Sequence, residues 1–204
     1  MILPCSLSRE SNRLEQPMKT LGHYHIPENS THYFEAFFGN PSLVPFQWAH
    51  CDLTAHIVAA YFASFFPEES DGGLLGRDEL TFSVNYVVNE LLENASKFGC
   101  GGTLALRAMM THSDLLLWAF NSATSSARYH LETVVSGLLD GDPQELLLER
   151  IEHNALNPDD NISGLGYLTM MSDYGVRFGW AFGEQVEAIA AIETQAWLPV
   201  QRKD

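Results

Sequence analysis

Lysine and arginine are scarce in this chain: 11 basic residues stand against 26 acidic ones in 204, a formal charge of −15. So few cations exclude nucleic acid as the main ligand, because a phosphate backbone is held by stripes of Lys and Arg. Anionic membrane surfaces are excluded on the same ground. Cysteine is equally sparse. Cys5, Cys51 and Cys100 are odd in number and widely spaced, with no C-x-x-C pair, unlike the dense framework of a small secreted domain. Long apolar runs are missing as well. The apolar stretch Leu53–Pro67 is shorter than the ~20 residues that cross a bilayer, and it contains His56 and Ser64. Met1–Cys5 lacks the basic start of a signal peptide, so the expected setting is cytoplasmic.

What is present describes a globular chain. Hydrophobic residues make up 46% of it, an ordinary value, and the length suits one core. Residues 1–22 are polar and irregular and read as a flexible N-terminal tail. Residues 23–79 read as a helical extension packed on the core, with an aromatic helix from Ser42 to Phe66 ended by Pro67. An acidic connector, Glu68–Glu79, leads to a helix over Leu80–Phe98 that Gly99, Gly101 and Gly102 stop. Two strands follow, Thr103–Met110 and Leu115–Phe120, joined through His112-Ser-Asp114. Helices over 124–140 and 143–156 flank the turn Asp140-Gly-Asp-Pro143, and a third runs from Gly164 to Tyr174. Strands near Val176–Phe182 and Val186–Leu198 close the chain. The expected fold class is α/β: a two-layer α/β sandwich with a mixed, mostly antiparallel sheet and helices on one face.

The helix over 80–98 carries the strongest chemical signal. At about 100° per residue, Val84, Val87, Val88, Leu91, Ala95 and Phe98 form one apolar stripe. Glu90, Asn94 and Lys97 cluster within about 60° of one another at the border of that stripe. A carboxylate, an amide and an ammonium group thus line up where a helix edges a cleft. That set can supply a general base, a metal ligand and a phosphate counter-charge. Glu and Lys at helical spacing also serve as a solvated face with weak pairing, worth ~0.2–0.5 kcal/mol.

The string Glu90-Leu-Leu-Glu-Asn94-Ala-Ser-Lys97-Phe98 resembles the N-box of the GHKL superfamily of histidine kinases, gyrase and Hsp90 ATPases and anti-sigma-factor kinases. The resemblance implies a Bergerat-type ATP-binding core over 80–204, with ATP and Mg²⁺ bound and a lid insertion at about 124–161. Asn94 would coordinate Mg²⁺, Glu90 would act as base or position the attacking group, and Lys97 would assist with phosphate. Ser163-Gly164-Leu165-Gly166-Tyr167-Leu168 resembles the family's G-L-G-L box and assigns Gly164, Leu165 and Gly166 to the nucleotide. Independently of any family, two glycines at a helix start allow close backbone approach and leave free N–H groups for phosphate.

The family's adenine box, D-x-G-x-G, is altered. The corresponding strand end reads Phe120-Asn121-Ser-Ala-Thr-Ser125, which puts Asn121 in the acidic position and omits both glycines. An amide still accepts a hydrogen bond but loses the charge-assisted part, ~1–2 kcal/mol. A strand ending in Asn, a helical insertion and then G-L-G resembles the SiaB-type bacterial kinases, which work in partner-switching circuits with small antagonist proteins. That resemblance implies a Ser/Thr protein kinase that passes the γ-phosphoryl group of MgATP to a partner protein. The altered box leaves an alternative, a catalytically inactive module of the same fold that acts by protein–protein binding. An open cleft beside Asn94 would favour the first, and Tyr167 or the Thr124 segment plugging it would favour the second.

Other groups read more simply. His23, His25 and His32 lie in the irregular N-terminal region, and Asp52 and His56, four apart, suit a local hydrogen bond. The aromatic helix around Trp48–Phe66 serves either as core or as a homodimer or partner surface.

Overall fold

The computed structural model describes residues 19–38, 48–100, 104–157, 164–186 and 188–201. Its elements are β1 (Lys19–Gly22), β2 (His32–Phe37), α1 (Trp48–Ala63), α2 (Arg77–Lys97), β3 (Ala105–Met110), β4 (Asp114–Thr124), α3 (Ser125–Leu139), α4 (Pro143–Leu156), α5 (Leu165–Asp173), β5 (Arg177–Phe182) and β6 (Ile189–Pro199). Six strands form one sheet in the order β1-β5-β6-β4-β3-β2, and α1, α2, α3 and α5 bury side chains in the core on one face of it. This is the expected α/β sandwich.

Strand β4 is the spine. It pairs with β6 along eleven positions, from Asp114↔Pro199 to Thr124↔Ile189, and with β3 on its other side. Alternation sends Leu115, Leu117, Ala119 and Ala123 into the helix layer, and Leu116 and Trp118 to the opposite face. Both faces are buried, which is why the strand reads as an unbroken apolar run. On α2 the expected stripe Val84, Val87, Val88, Leu91, Ala95 and Phe98 is wholly buried against it. Each such aliphatic side chain contributes roughly 1.5–3 kcal/mol.

Three expectations need correction. The sheet is wholly antiparallel rather than mixed: β4 and β5 run parallel, but β6 inserts between them, antiparallel to both. The N-terminal portion is not only tail and helix. Of residues 1–22, those before Lys19 lie outside the described residues, while Lys19–Gly22 form the edge strand β1 against β5. Within 23–79, His32–Phe37 form β2, the opposite edge, paired with β3. Partners far away in the chain, from Phe37↔Ala105 to Lys19↔Phe182, supply both ladders, so local pattern does not reveal them. Finally, the described part of the 124–161 insertion is not one detached element. Helix α3 buries Leu131, Val135 and Leu138 in the main core and is tied down by the Lys19–Glu132 pair (2.9 Å) and by Arg128, which donates to the Gly183 carbonyl at 3.0 Å. Only α4 lies outside, with no buried residue, resting on α5.

The outer face of the sheet carries a smaller cluster of Met109, Leu116, Trp118 and Trp197. The chain after β1 seals it. His25 stacks on Trp197 at 4.0 Å, its backbone N–H donates to the side-chain oxygen of buried Gln195 and its carbonyl accepts from the Gln195 amide nitrogen, while the Tyr24 hydroxyl donates to Glu193 at 2.7 Å. The first two N-terminal histidines are therefore packed on the sheet rather than held in an irregular tail. His56 accepts the simpler reading: its Nδ1 lies 2.8 Å from the Asp52 carbonyl. Among the described residues no group of three His, Cys, Asp or Glu gathers as a metal set, and no helix is long and apolar enough to cross a membrane.

Candidate functional site

Helix α2 delivers Glu90 and Asn94 to the boundary between core and solvent because its apolar stripe is fixed on the sheet. Both are half-buried, and Lys97, one turn further, is exposed. Glu90 is the unusual member. Burial alone holds its carboxyl above the ordinary range, and among the described residues it has no ion pair or hydrogen bond to offset that burial. Its charge also helps raise Glu93.

The carboxylate is pressed against Gly166. A Cβ added at that glycine would run into the Glu90 carboxylate, so the two boxes, 76 residues apart, meet directly. Gly164 is left-handed (φ 99°) and precedes α5 with no side-chain cap, leaving the first N–H groups of the helix for an acceptor. Over Gly164 lies a residue that sequence reasoning missed. The Arg150 guanidinium of α4 sits 2.7 Å from where a Gly164 Cβ would be, and burial lowers its pKa. The available signal was its isolation: Arg150 is the one Lys or Arg in the acidic helix α4. Lys97 is exposed, and its Nζ lies 5.5 Å from the Phe98 ring centroid.

Asn121 faces the helix layer from the end of β4. It is buried, its amide nitrogen has no hydrogen-bond partner among the described residues, and it points toward Gly99, 3.8 Å from an added Cβ there. An unsatisfied buried amide costs about 1–3 kcal/mol, an expense that a ligand at this position would remove. Cys100 fixes the neighbourhood by donating its N–H to the Ser122 carbonyl at 2.8 Å. Neither expected plug is in place. Tyr167 turns into the core, edge-on to Phe178 and Trp180 with its hydroxyl pushed up to about 12 by burial, and Thr124 caps α3 through Ala127.

A carboxylate and an amide oxygen are the hard donors Mg²⁺ takes, and the uncompensated charge on Glu90 suits a cation. Arg150 and the uncapped start of α5 suit phosphate. A separate groove of about 460 Å³ runs along another face of α2, lined by Asp78, Phe82, Asn85, Tyr86 and Asn89, and includes none of these groups.

No protein-family model matches the chain, and no match was found among curated proteins. Its fold is similar to that of a chain in the crystal structure of the SiaB-SiaC complex from Pseudomonas aeruginosa. The TM-score is 0.58 at 13% sequence identity, covering 80% of this chain and 89% of that one. At that identity the likeness is one of fold.

Proposed function

We propose that this chain is a regulatory ATP-binding protein that transfers the γ-phosphoryl group of ATP to a Ser or Thr of a partner protein, as a component of a partner-switching circuit. One observation carries the reading: an uncompensated, half-buried Glu90 carboxylate held against Gly166 at the uncapped start of α5. The fold shared with a chain of a two-protein complex supports the protein partner.

In this reading Asn121 meets the adenine edge. The N–H groups at the start of α5 and the Arg150 guanidinium hold the phosphates. Mg²⁺, held by Asn94 with Glu90 close by, would neutralise charge on the β- and γ-phosphates. Glu90 takes the proton of the partner's hydroxyl as its oxygen bonds to the γ-phosphorus and the bond to the ADP oxygen breaks. Burial raises the basicity of Glu90 for that step. Calorimetry with Mg-ATP is the direct test. Binding is expected, with Glu90→Ala retaining it while losing transfer; a folded protein that binds no nucleotide at millimolar concentration removes the reading.

A second reading, a module that binds its partner without chemistry, is favoured by Asn121 and by Ala123 and Ser125 where the family's box has its glycines. It predicts partner affinity that ATP does not change, and strong nucleotide dependence counts against it.

A further inference from the structure

The groove along α2 combines aromatic rings with acceptors that have nothing to accept from. Asp78, Phe82, Asn85 and Asn89 recur every three or four residues, so they stand in one row on the helix. Tyr86 flanks that row, and Tyr174, the residue that ends α5, completes a stack of rings. Tyr86 and Tyr174 lie 5.0 Å apart and nearly parallel, and Phe82 faces Tyr174 at 6.5 Å. Phe82 is 69% exposed, an aromatic ring left in water at the groove wall. Among the described residues Asp78 has no ion pair or hydrogen bond, and the Asn89 side-chain oxygen is buried without a partner. Asp78 does favour the start of α2 electrostatically, a role that Glu79 beside it also fills. Arg77, the neighbouring cation in the chain, is turned away to the Phe66 carbonyl (3.2 Å) and Glu68 (3.7 Å).

We propose that this groove binds a small organic cation, an alkylammonium or guanidinium compound, with its charged head on Asp78 and its carbon stem along the Phe82, Tyr86 and Tyr174 rings. Three features select that class. Ring faces attract cations through their quadrupole, and three rings are gathered here. Acceptors without partners call for N–H donors, and ammonium and guanidinium groups carry donors only. The lining holds one carboxylate and no cation, on a chain of −15, so the surrounding field favours a positive ligand. Burial first and the Asp173 charge second raise the Tyr174 hydroxyl, so the field at the rings is negative as well. A volume of about 460 Å³ suits a small molecule. None of Glu90, Asn94, Asn121 and Arg150 lines the groove, so the inference is independent of nucleotide binding.

Calorimetry and heteronuclear NMR of the full chain with agmatine, which carries both head groups, test it. Agmatine should bind one to one without nucleotide and shift the side-chain amide signals of Asn85 and Asn89. Putrescine should bind as well, and its uncharged diol analogue should not. Asp78→Asn should weaken agmatine at least ~10-fold, and Phe82→Ala about fivefold. Glu149→Gln, the same loss of charge on the exposed side of α4, should change nothing. Far-UV circular dichroism checks that the variants fold, as expected of substitutions at exposed positions. Agmatine that fails to bind at about 10 mM (roughly ten times a millimolar Kd), or binds without moving Asn85 and Asn89, overturns the proposal. Equal weakening by Asp78→Asn and Glu149→Gln overturns it too, since it marks general attraction to an acidic surface. So does a groove that takes an arginine-containing tripeptide but not agmatine.

Discussion

Replacing Glu90 with Gln should make this protein more stable at neutral pH while removing phosphoryl transfer. Burial alone raises the Glu90 carboxyl above its ordinary value, and among the described residues no cation or donor offsets it. The folded state therefore holds this proton more tightly than the unfolded chain does. The sign follows from linkage: the stability associated with Glu90 is greatest below the unfolded pKa, near 4.3, and falls as pH rises through the folded value. At pH 7 the ionised carboxylate costs the fold free energy. Glutamine keeps the shape and removes the charge. A half-buried group sits at the low end of the 1–3 kcal/mol range for unpaired burial, so the gain is roughly 1 kcal/mol. In a chain of 204 residues that is about 2–4 °C in Tm. The assay is thermal and urea unfolding of both proteins at pH 4 and pH 7.5, beside a transfer assay with MgATP and partner. The two proteins should nearly coincide at pH 4 and separate at pH 7.5, with Gln the more stable. A Gln variant that is less stable at pH 7.5, or whose difference ignores pH, refutes the account of Glu90 as an uncompensated buried carboxylate. A catalytic group is expected to trade stability for activity, whereas a purely structural one would lose both together.

Other substitutions test other parts of the structure. Asn121→Asp should tighten nucleotide binding about tenfold by calorimetry, through a charge-assisted acceptor, and lower stability by placing a carboxylate in a buried site. Leu138→Ala should cost about 2–5 kcal/mol in urea unfolding because α3 belongs to the core, while Leu148→Ser on α4 should cost no more than ~0.5 kcal/mol; equal effects would return α3 to the status of a lid. Arg177→Ala should destabilise by about 1–3 kcal/mol, since it removes the 2.8 Å partner of a buried Asp114 carboxylate, and Asp114→Asn should then recover part of the loss.

The elements that local pattern specifies were legible. Helix α2 shows its stripe because 3.6-residue periodicity is a property of one segment, and β4 shows its apolar run because both faces are covered. Asp142 and Pro143 mark the start of α4 for an equally local reason: the Asp side chain accepts from the N–H groups of Gln144 and Glu145. Strands β1 and β2 were not legible. Their ladders form with β5 and β3, and KTLG or HYFEAF alone does not say that such a partner exists. Arg150 escaped for a similar reason. Nothing in α4 indicates that its guanidinium lies over a glycine 14 residues on.

By itself the sequence determined the chemistry on offer: few cations, a carboxylate and an amide one turn apart, two glycines before a helix, and an amide where an acid is usual. Tertiary structure decided which of these meet. It pressed Glu90 onto Gly166, set Arg150 over Gly164, buried the Asn121 amide without a partner among the described residues, and left Leu53, Ile57 and Tyr61 of α1 exposed. The physical reason is that side-chain identity and helical phase are written residue by residue. Burial and proximity are set by the packing of segments far apart in the chain, and only burial makes an ordinary glutamate hold its proton more tightly.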